Sequence, residues 1–188
     1  MKIAALNVRP GYVLEYNDKL WVVLKSETVQ PGKGAAVTQV EMRDLKSGNK
    51  TNIRWRTQDM VEKAHIDEED FQYLYPEGDK LTFMHTENFE QISVDRGIVG
   101  EPAQFLQEGM ICQIAMHEGT PLSVTLPDTV TMEITEAEPV VKGQTASSSY
   151  KPAILENGAK VMVPPHIEAG TRVVVKTADG SYAERAKD

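Results

Sequence analysis

Cysteine is almost absent from this sequence of 188 residues, in which Cys112 is the single example. One cysteine excludes a disulfide framework and any zinc site built from several thiolates. The sequence also lacks an uninterrupted apolar run of the roughly 18–20 residues that a membrane-spanning helix needs. Its first ten residues contain too short an apolar run for a signal peptide. We therefore expect a soluble, cytoplasmic protein that has no membrane partner.

The common signatures of enzymes are missing as well. The sequence has neither a Gly-x-Ser-x-Gly nucleophile motif nor a His-Glu-x-x-His zinc motif. Gly32-Lys33-Gly34 lacks the second glycine, the Ser or Thr and the helix of a phosphate-binding loop. The acidic run 67–70 lacks the glycine and spacing of a calcium loop, and the histidines stand singly at His65, His85, His117 and His166. We expect no enzymatic activity, no catalytic residue, no metal and no cofactor.

Charge is abundant but unevenly distributed. The net formal charge is −8, yet residues 1–64 carry 11 Lys and Arg against 7 Asp and Glu, a net of +4. Residues 65–126 carry 2 against 12, a net of −10, and residues 127–188 carry 7 against 9, a net of −2. A basic first third can contact a polyanion that the acidic middle repels. Ordinary scatter of charge over solvated faces is the alternative interpretation.

The apolar runs are short, rich in Val, Ile, Tyr and Thr, and end at turn residues, a pattern typical of an all-β protein. The run Trp21-Val22-Val23-Leu24 predicts a strand buried on both faces. One short helix is predicted from roughly Pro102 to Gln107. The strand spacing predicts three small β-barrel domains: an SH3-like barrel over 1–64, an OB-like barrel over 65–126 and a third barrel of similar size over 127–188.

One loop of the basic first third is unusual. The sequence Pro31-Gly32-Lys33-Gly34 combines a proline, which fixes its own φ, with glycines, which tolerate positive φ. Such a tip can turn sharply with lysine as its only long side chain, and a primary amine is open to acylation, unlike the guanidinium of arginine. The residues leave two interpretations: a protruding functional amine, or a hairpin tip with a solubilising lysine.

Three groups of residues resemble a known family. The first is the Pro31-Gly32-Lys33-Gly34 tip. The second is the C-terminal pattern Lys151-Pro152-Ala153, Gly158, Val161-Met162-Val163-Pro164, Ile167 and Gly170, and the third is Gly180-Ser181-Tyr182-Ala183-Glu184-Arg185. Together they make the chain similar to bacterial elongation factor P along essentially its whole length.

The resemblance implies a fold and a function. It implies an SH3-like (KOW-type) barrel over 1–64 followed by two OB-like barrels over 65–126 and 127–188, in an L shape that mimics tRNA. It also implies binding to the 70S ribosome between the peptidyl-tRNA and exit sites. It implies that the protein promotes peptide-bond formation at consecutive prolines by positioning the acceptor end of a proline-carrying peptidyl-tRNA. It also implies that the tip lysine, here Lys33, is lengthened by a modifying enzyme.

Further site residues follow from the same resemblance. Tyr182 and Arg185 match positions near the tRNA backbone, although a core aromatic and a surface charge remain the alternative. As a group, further basic residues are expected to contact tRNA or ribosomal RNA: Arg9, Lys25, Arg43, Arg54 and Arg56. A third-domain loop is expected to approach the exit-site codon, and it consists here of Gly143, Gln144, Thr145, Ala146, Ser147 and Ser148. In the family this loop reads glycine, aspartate, threonine, alanine, glycine, threonine, so Gln144 and Ser147 depart from the pattern.

Two rival functions remain. The first is a paralogue of the same family with a different tRNA or stall preference. The second is a general single-stranded nucleic-acid binder that uses its OB-like units. The net charge of −10 over residues 65–126 makes a poor groove for a polyanion, so the translation factor is preferred.

Overall fold

The computed structural model describes residues 1–139 and 149–187, which are almost entirely β. Six antiparallel strands form the first sheet: β1 (Lys2–Ala4), β2 (Val13–Tyr16), β3 (Lys19–Val29), β4 (Val37–Asp44), β5 (Lys50–Arg56) and β6 (Met60–Lys63). Their order in the sheet is β1-β6-β2-β3-β4-β5, and a 3₁₀ helix, Ala5–Asn7, follows β1.

The first sheet curls around a single apolar cluster. Leu14 of β2, Val23 of β3 and Met42 of β4 are buried at its centre. Ile3 of β1 and Trp55 of β5, which belong to opposite edges of the sheet, both pack against that cluster. A sheet whose two edge strands cover the same core must be strongly curved, as in a small barrel.

The second sheet contains five strands: β7 (Asp67–Glu77), β8 (Lys80–His85), β9 (Gln91–Asp95), β10 (Ile111–His117) and β11 (Thr120–Thr125). Their order is β11-β10-β7-β8-β9. A short helix, α1 (Arg96–Val99), and a 3₁₀ helix, Glu101–Phe105, lie between β9 and β10. Cys112 is buried in β10, and burial raises the pKa of its thiol to about 11. The thiol is therefore protonated and unreactive at neutral pH.

The third sheet also contains five strands: β12 (Thr129–Ala137), β13 (Lys151–Leu155), β14 (Lys160–Val163), β15 (Arg172–Lys176) and β16 (Tyr182–Arg185). Their order is β14-β13-β12-β15-β16. Alternate residues of β12 and β15, among them Ile134 and Val173, are fully buried. The predicted all-β fold class is confirmed by these three sheets.

The chain forms two compact units. One contains Met1–Asp67 with Ala115–Leu122, and the other contains Glu68–Ile114 with Ser123–Asp188. The tip of the β10–β11 hairpin therefore belongs with the first sheet, where His117 Nε2 lies 3.4 Å from Glu15 Oε1. The domain limits 1–64, 65–126 and 127–188 and the L-shaped arrangement remain predictions. Over the described residues, no helix combines the length and the apolar character that crossing a membrane requires.

Asp44 stabilises the turn between β4 and β5. Its side chain accepts hydrogen bonds from the Lys46 backbone N–H at 2.9 Å and from the Ser47 hydroxyl at 2.9 Å. Lys19 Nζ lies 3.7 Å from the same carboxylate. The pKa of the Asp44 carboxyl is lowered, chiefly by the hydrogen bond from the Lys46 N–H. The Ser47 hydroxyl, the Ser47 N–H and the Lys19 charge lower it further, while desolvation by burial opposes the shift.

The lowered pKa predicts how the stability of this turn depends on pH. As the pH falls, the Asp44 carboxylate is protonated in the unfolded state before it is protonated in the folded state. Its contribution to the free energy of unfolding is therefore complete above the unfolded pKa of about 3.9. That contribution is lost as the pH falls through the lower folded pKa. We expect Asp44→Asn to reduce the free energy of unfolding at neutral pH and to have a progressively smaller effect in strong acid. Chemical denaturation of both proteins at several pH values tests this, and a pH-independent difference would contradict it.

Candidate functional site

Lys33 lies at the tip of the β3–β4 hairpin, in the loop of residues 30–36. The last cross-strand pair before the loop is Val29 with Val37. One pair further down, the hydroxyl oxygens of Thr28 and Thr38 lie 3.2 Å apart. The two strands thus remain paired up to the loop, which gives the tip a defined base.

The loop leaves the Lys33 amine in solvent. Residues 27–35 are all exposed, and within the described part of the chain the Lys33 side chain makes no ion pair or hydrogen bond. Gly34 has φ +143°, in the range that favours glycine, whereas the φ of Gly32 lies outside that range. No atom lies within 4 Å of a Cβ built at Gly32. Only Gly34 therefore uses positive φ, whereas Gly32 leaves open space beside Lys33.

A bulge in β3 decides which face of the sheet carries Lys25. The β3–β4 register shifts between Val23 and Lys25, so Val23 pairs with Met42 while Lys25 pairs with Glu41. Strict alternation would place Lys25 on the same face as Val23, which is in the core. The extra residue, Leu24, moves Lys25 to the outer face, where its charge is solvated.

The outer face of β3, β4 and β5 is basic. The β4–β5 register pairs Arg43 with Lys50, Gln39 with Arg54 and Val37 with Arg56. Paired residues point to the same side of a sheet, and the residues alternating with them, such as Thr38, Val40 and Met42, are buried in the core. We call this surface the basic face; its cations are Lys25, Arg43, Lys50, Arg54 and Arg56.

The acidic residues on this surface neutralise only part of the basic face. Glu27 Oε1 lies 3.3 Å from Lys25 Nζ, and Glu41 Oε1 lies 3.8 Å from Lys50 Nζ. The guanidinium groups of Arg43, Arg54 and Arg56 have no acidic partner among the described residues. Exposed guanidinium groups beside the amides of Gln39 and Asn52 suit contacts with phosphate and ribose oxygens.

Sequence reasoning named four of the five cations of the basic face and missed Lys50. The signal was available in the alternation of β5, where Lys50, Asn52, Arg54 and Arg56 occupy every second position. The amides of Gln39 and Asn52 were missed because uncharged polar residues give no pattern in the sequence. Only the strand register shows that both lie beside Arg54.

Arg9 lies outside the basic face. It follows the first 3₁₀ helix, and its Nη1 donates to the carbonyl oxygens of Leu6 at 3.0 Å and Val8 at 3.1 Å. The side chain is exposed, but these bonds engage one nitrogen in holding its own loop. The Arg9 guanidinium therefore helps to hold the backbone of residues 6–8. Its contact with RNA remains a prediction.

Tyr182 and Arg185 lie on β16, the edge strand of the third sheet. Tyr182 is half-buried and meets Tyr150 edge-to-face, with ring centroids 6.4 Å apart. Burial, with smaller effects of Tyr150 and Glu184, raises the pKa of the Tyr182 phenol, which therefore stays a hydrogen-bond donor at neutral pH. Arg185 is exposed. The predicted exit-site loop, from Gly143 to Ser148, lies outside the described residues.

Comparison with known families covers almost the whole chain. Residues 5–61 match the family described as "Elongation factor P (EF-P) KOW-like domain" and residues 66–124 match the "Elongation factor P (EF-P) OB domain". Residues 130–185 match "Elongation factor P, C-terminal". The chain belongs to the elongation factor P family. The resemblance found from the Lys33 tip and the C-terminal pattern is thereby confirmed.

Full-length relatives agree with this assignment. The chain is 54% identical over 188 residues to elongation factor P of Rhodospirillum centenum, and the alignment covers 100% of both chains. It is 57% identical over 187 residues to elongation factor P of Rhodospirillum rubrum, again covering 100% of both. It is therefore a member of a family of translation elongation factors.

Solved structures support the fold. Eukaryotic translation initiation factor 5A from Methanococcus jannaschii superposes with a TM-score of 0.55 at 20% identity, over 67% of this chain and 94% of that chain. An eIF-5A family protein from Naegleria fowleri gives a TM-score of 0.51 at 16% identity, over 67% and 98%. These likenesses support the KOW-like and OB architecture predicted from strand spacing.

The described residues offer binding chemistry at this site. Nowhere in ranges 1–139 and 149–187 do three or more His, Cys, Asp or Glu side chains come together as a metal site would need. The Lys33 tip and the basic face supply cations and hydrogen-bond donors, the groups that suit contacts with phosphate and ribose oxygens.

Proposed function

We propose that this protein binds the 70S ribosome between the peptidyl-tRNA and exit sites and promotes peptide-bond formation at consecutive prolines. Membership of the elongation factor P family supports the role in translation. The observation that carries the proposal is the exposed Lys33 amine on a paired hairpin, where it makes no hydrogen bond or ion pair with the described residues. The partner is a peptidyl-tRNA that carries proline, and the site of action is cytoplasmic.

The mechanism is positioning rather than chemistry by the protein. Proline reacts slowly as an acceptor because its ring constrains the attacking amine, and prolines in the nascent chain restrict the donor. Lys33 enters beside the terminal nucleotides of the tRNA, with its cationic end near phosphate and ribose oxygens. Holding the acceptor end in a reactive geometry removes an orientational cost from the reaction. The basic face contacts tRNA or ribosomal RNA and holds the hairpin in place.

A modifying enzyme that lengthens Lys33 is part of the proposal. The tip presents a primary amine with open space at Gly32, so an enzyme can reach the nitrogen. The intact mass of protein from its native host is expected to exceed the mass of the sequence, with the excess on the peptide that contains Lys33. An unmodified mass would mean that the lysine acts without an extension.

The proposed function is tested in a reconstituted bacterial translation system that lacks elongation factor P. Adding the protein is expected to raise the yield of a reporter with three consecutive prolines and to leave a matched reporter with three alanines unchanged. Equal yields with and without the protein would contradict the proposal. Tight binding to free single-stranded RNA, together with no effect on the reporter, would instead support a general nucleic-acid binder.

The basic face predicts how ribosome binding depends on salt. We expect the double variant Arg54→Ala, Arg56→Ala to bind ribosomes about tenfold more weakly, because each arginine has no acidic partner among the described residues and is available for a phosphate. The slope of log affinity against log salt should fall by about 1 for each phosphate that the variant no longer neutralises. Lys46→Ala, at the exposed β4–β5 turn, is the matched control. Unchanged affinity and slope would remove the basic face from the interface.

A further inference from the structure

Phe89 is an exposed aromatic residue on the second sheet. It lies in the turn of residues 86–90 that joins β8 to β9, and 66% of its surface is accessible. A phenylalanine side chain gains about 1.5–3 kcal/mol from full burial, so a largely solvated ring gives up most of that energy. A single exposed apolar side chain is common on protein surfaces, so the case for binding rests on how the turn presents this ring and on the charges around it.

Hydrogen bonds hold the backbone of residues 86–90, which we call the Phe89 turn, in one defined conformation. Phe89 has φ +61°, an uncommon value for a bulky residue. Its N–H donates to the His85 carbonyl oxygen at 3.1 Å, and the N–H groups of Glu87 and Asn88 donate to His85 Nδ1 at 3.1 and 3.2 Å. The Glu90 N–H donates to Asn88 Oδ1 at 2.9 Å. The four consecutive N–H groups of residues 87–90 thus all have acceptors, which fixes the backbone from which the ring projects.

His85 anchors the Phe89 turn to the sheet. Its side chain is largely buried, and its ring meets that of Phe71 edge-to-face at 5.0 Å. Because Nδ1 accepts two hydrogen bonds, the proton is on Nε2, which lies 3.4 Å from Glu69 Oε2. A turn organised before binding loses little entropy when a partner arrives.

The surroundings of Phe89 are acidic. Glu87 and Glu90 flank the ring, and the turn is hydrogen-bonded to Asp70, whose carbonyl oxygen accepts from the Thr86 N–H and hydroxyl. The nearest basic residue along the β8–β9 hairpin is Lys80, at the other end of β8 and on the order of 16 Å away. This charge repels phosphate and favours a cationic partner. A stacked nucleic-acid base is therefore disfavoured at Phe89.

We propose that the Phe89 turn is a protein-docking site, in which the Phe89 ring enters an apolar pocket of a partner protein and the neighbouring carboxylates face basic residues at the rim of that pocket. The identity of the partner rests on the proposed function: it is a basic protein of the 70S ribosome. The site is separate from the Lys33 tip and the basic face, because it belongs to a different sheet and carries the opposite charge.

The first test uses Phe89→Asn in the full chain. Asparagine tolerates the left-handed backbone of this position but cannot fill an apolar pocket. We expect binding to purified 70S ribosomes to weaken by about tenfold or more, as for an interface hot spot, while the melting temperature stays equal or rises. Phe89→Tyr should lose less affinity than Phe89→Asn because it keeps the ring, and Met162→Ala, which removes another exposed apolar side chain (52% accessible), is the matched control. Wild-type affinity for Phe89→Asn would overturn the docking site.

The second test identifies the partner. Benzoylphenylalanine replaces Phe89, the protein is bound to 70S ribosomes and irradiated, and the cross-linked component is identified. We expect a cross-link to one basic ribosomal protein that disappears on Glu87→Lys, Glu90→Lys. A cross-link to ribosomal RNA, or no cross-link from a bound chain, would overturn the proposal. A wild-type chain that fails to bind ribosomes would contradict the proposed function as well, whereas wild-type binding with unaffected Phe89→Asn would contradict the docking site alone.

Discussion

Lys33→Ala is expected to abolish the stimulation of triple-proline synthesis while leaving the protein folded. A positioning gain of about a hundredfold in rate corresponds to about 2.7 kcal/mol in the barrier, and the truncated side chain can no longer reach the tRNA end. The Lys33 amine makes no hydrogen bond or ion pair with the described residues. The free energy of unfolding should therefore change by less than about 0.5 kcal/mol. Single-turnover peptide formation on a triple-proline template and thermal unfolding measure the two quantities.

Two further variants separate the possible reasons for a loss of activity. Lys46→Ala removes an exposed lysine from a different turn of the same sheet and should keep full activity. Lys33→Arg keeps the charge but cannot be acylated as a primary amine. If Lys33→Arg is as inactive as Lys33→Ala, the amine or its extension is required, and if it is active, charge suffices. A Lys33→Ala protein that stimulates synthesis as the wild type does would contradict the proposed role of the tip.

The positions of many strands and turns along the chain follow from local patterns in the sequence. Asn17-Asp18 and Glu118-Gly119 form the β2–β3 and β10–β11 turns, and all four residues have positive φ, between +48° and +79°. Asparagine, aspartate and glycine tolerate this conformation at little cost. The strands on either side then alternate between core and solvent, so the all-β class could be predicted from turn residues and two-residue periodicity alone.

Burial within a strand was harder to predict. The apolar run from Trp21 to Leu24 was expected to be buried on both faces, and this is wrong: Trp21 and Val23 are buried, whereas Val22 and Leu24 are only half-buried. A curled single sheet has one core, so apolar residues on its convex side are covered only by neighbouring long side chains. Composition cannot distinguish this case from a strand between two layers, because both give a continuous apolar run.

Short helices were predicted only in part. A helix was expected from roughly Pro102 to Gln107, and the structure has a 3₁₀ helix over Glu101–Phe105. The helix α1, Arg96–Val99, was missed. Four residues form a single turn and contain Gly97, so they show neither an apolar period nor a favourable propensity. Such a turn forms because packing around it holds it, and packing partners distant in sequence are not visible in a single sequence.

Most residues of the candidate site could be predicted individually, but the sequence did not show that they share one face of the sheet. Lys25 and Arg54 are 29 positions apart, and only the register of β3, β4 and β5, with the bulge at Leu24, puts them on one face. The turn that presents Phe89 depends in the same way on hydrogen bonds to the His85 side chain, which no local pattern in the sequence indicates. Local sequence specifies which chemistry is available, whereas strand register and tertiary hydrogen bonds decide which groups act together.

The contacts that join the second and third sheets within their compact unit also depend on tertiary structure and could not be predicted from local sequence. The second 3₁₀ helix packs against the third sheet, where Asn157 Nδ2 donates to the Gln104 carbonyl oxygen at 2.8 Å. Gln107 Nε2 donates to the Thr131 carbonyl oxygen at 3.2 Å. Gly180, in the β15–β16 turn, lies against the ring of Phe105, which is only 2% exposed. A side chain added at this glycine would therefore press directly on the packing between the two sheets.

Gly180→Ala is expected to destabilise this unit by roughly 2–4 kcal/mol, because two costs act together. Gly180 has φ +74°, where an alanine costs about 1 kcal/mol. The added Cβ would lie 3.0 Å from Phe105 Cζ, a contact that a buried ring can relieve only by shifting, at about 1–3 kcal/mol. Gly158→Ala is the matched control, since Gly158 has φ +84° but no atom within 4 Å of its Cβ position. Chemical denaturation should thus show a clearly larger loss of stability at Gly180 than at Gly158; equal losses would mean that backbone strain alone acts and that Phe105 does not constrain the turn.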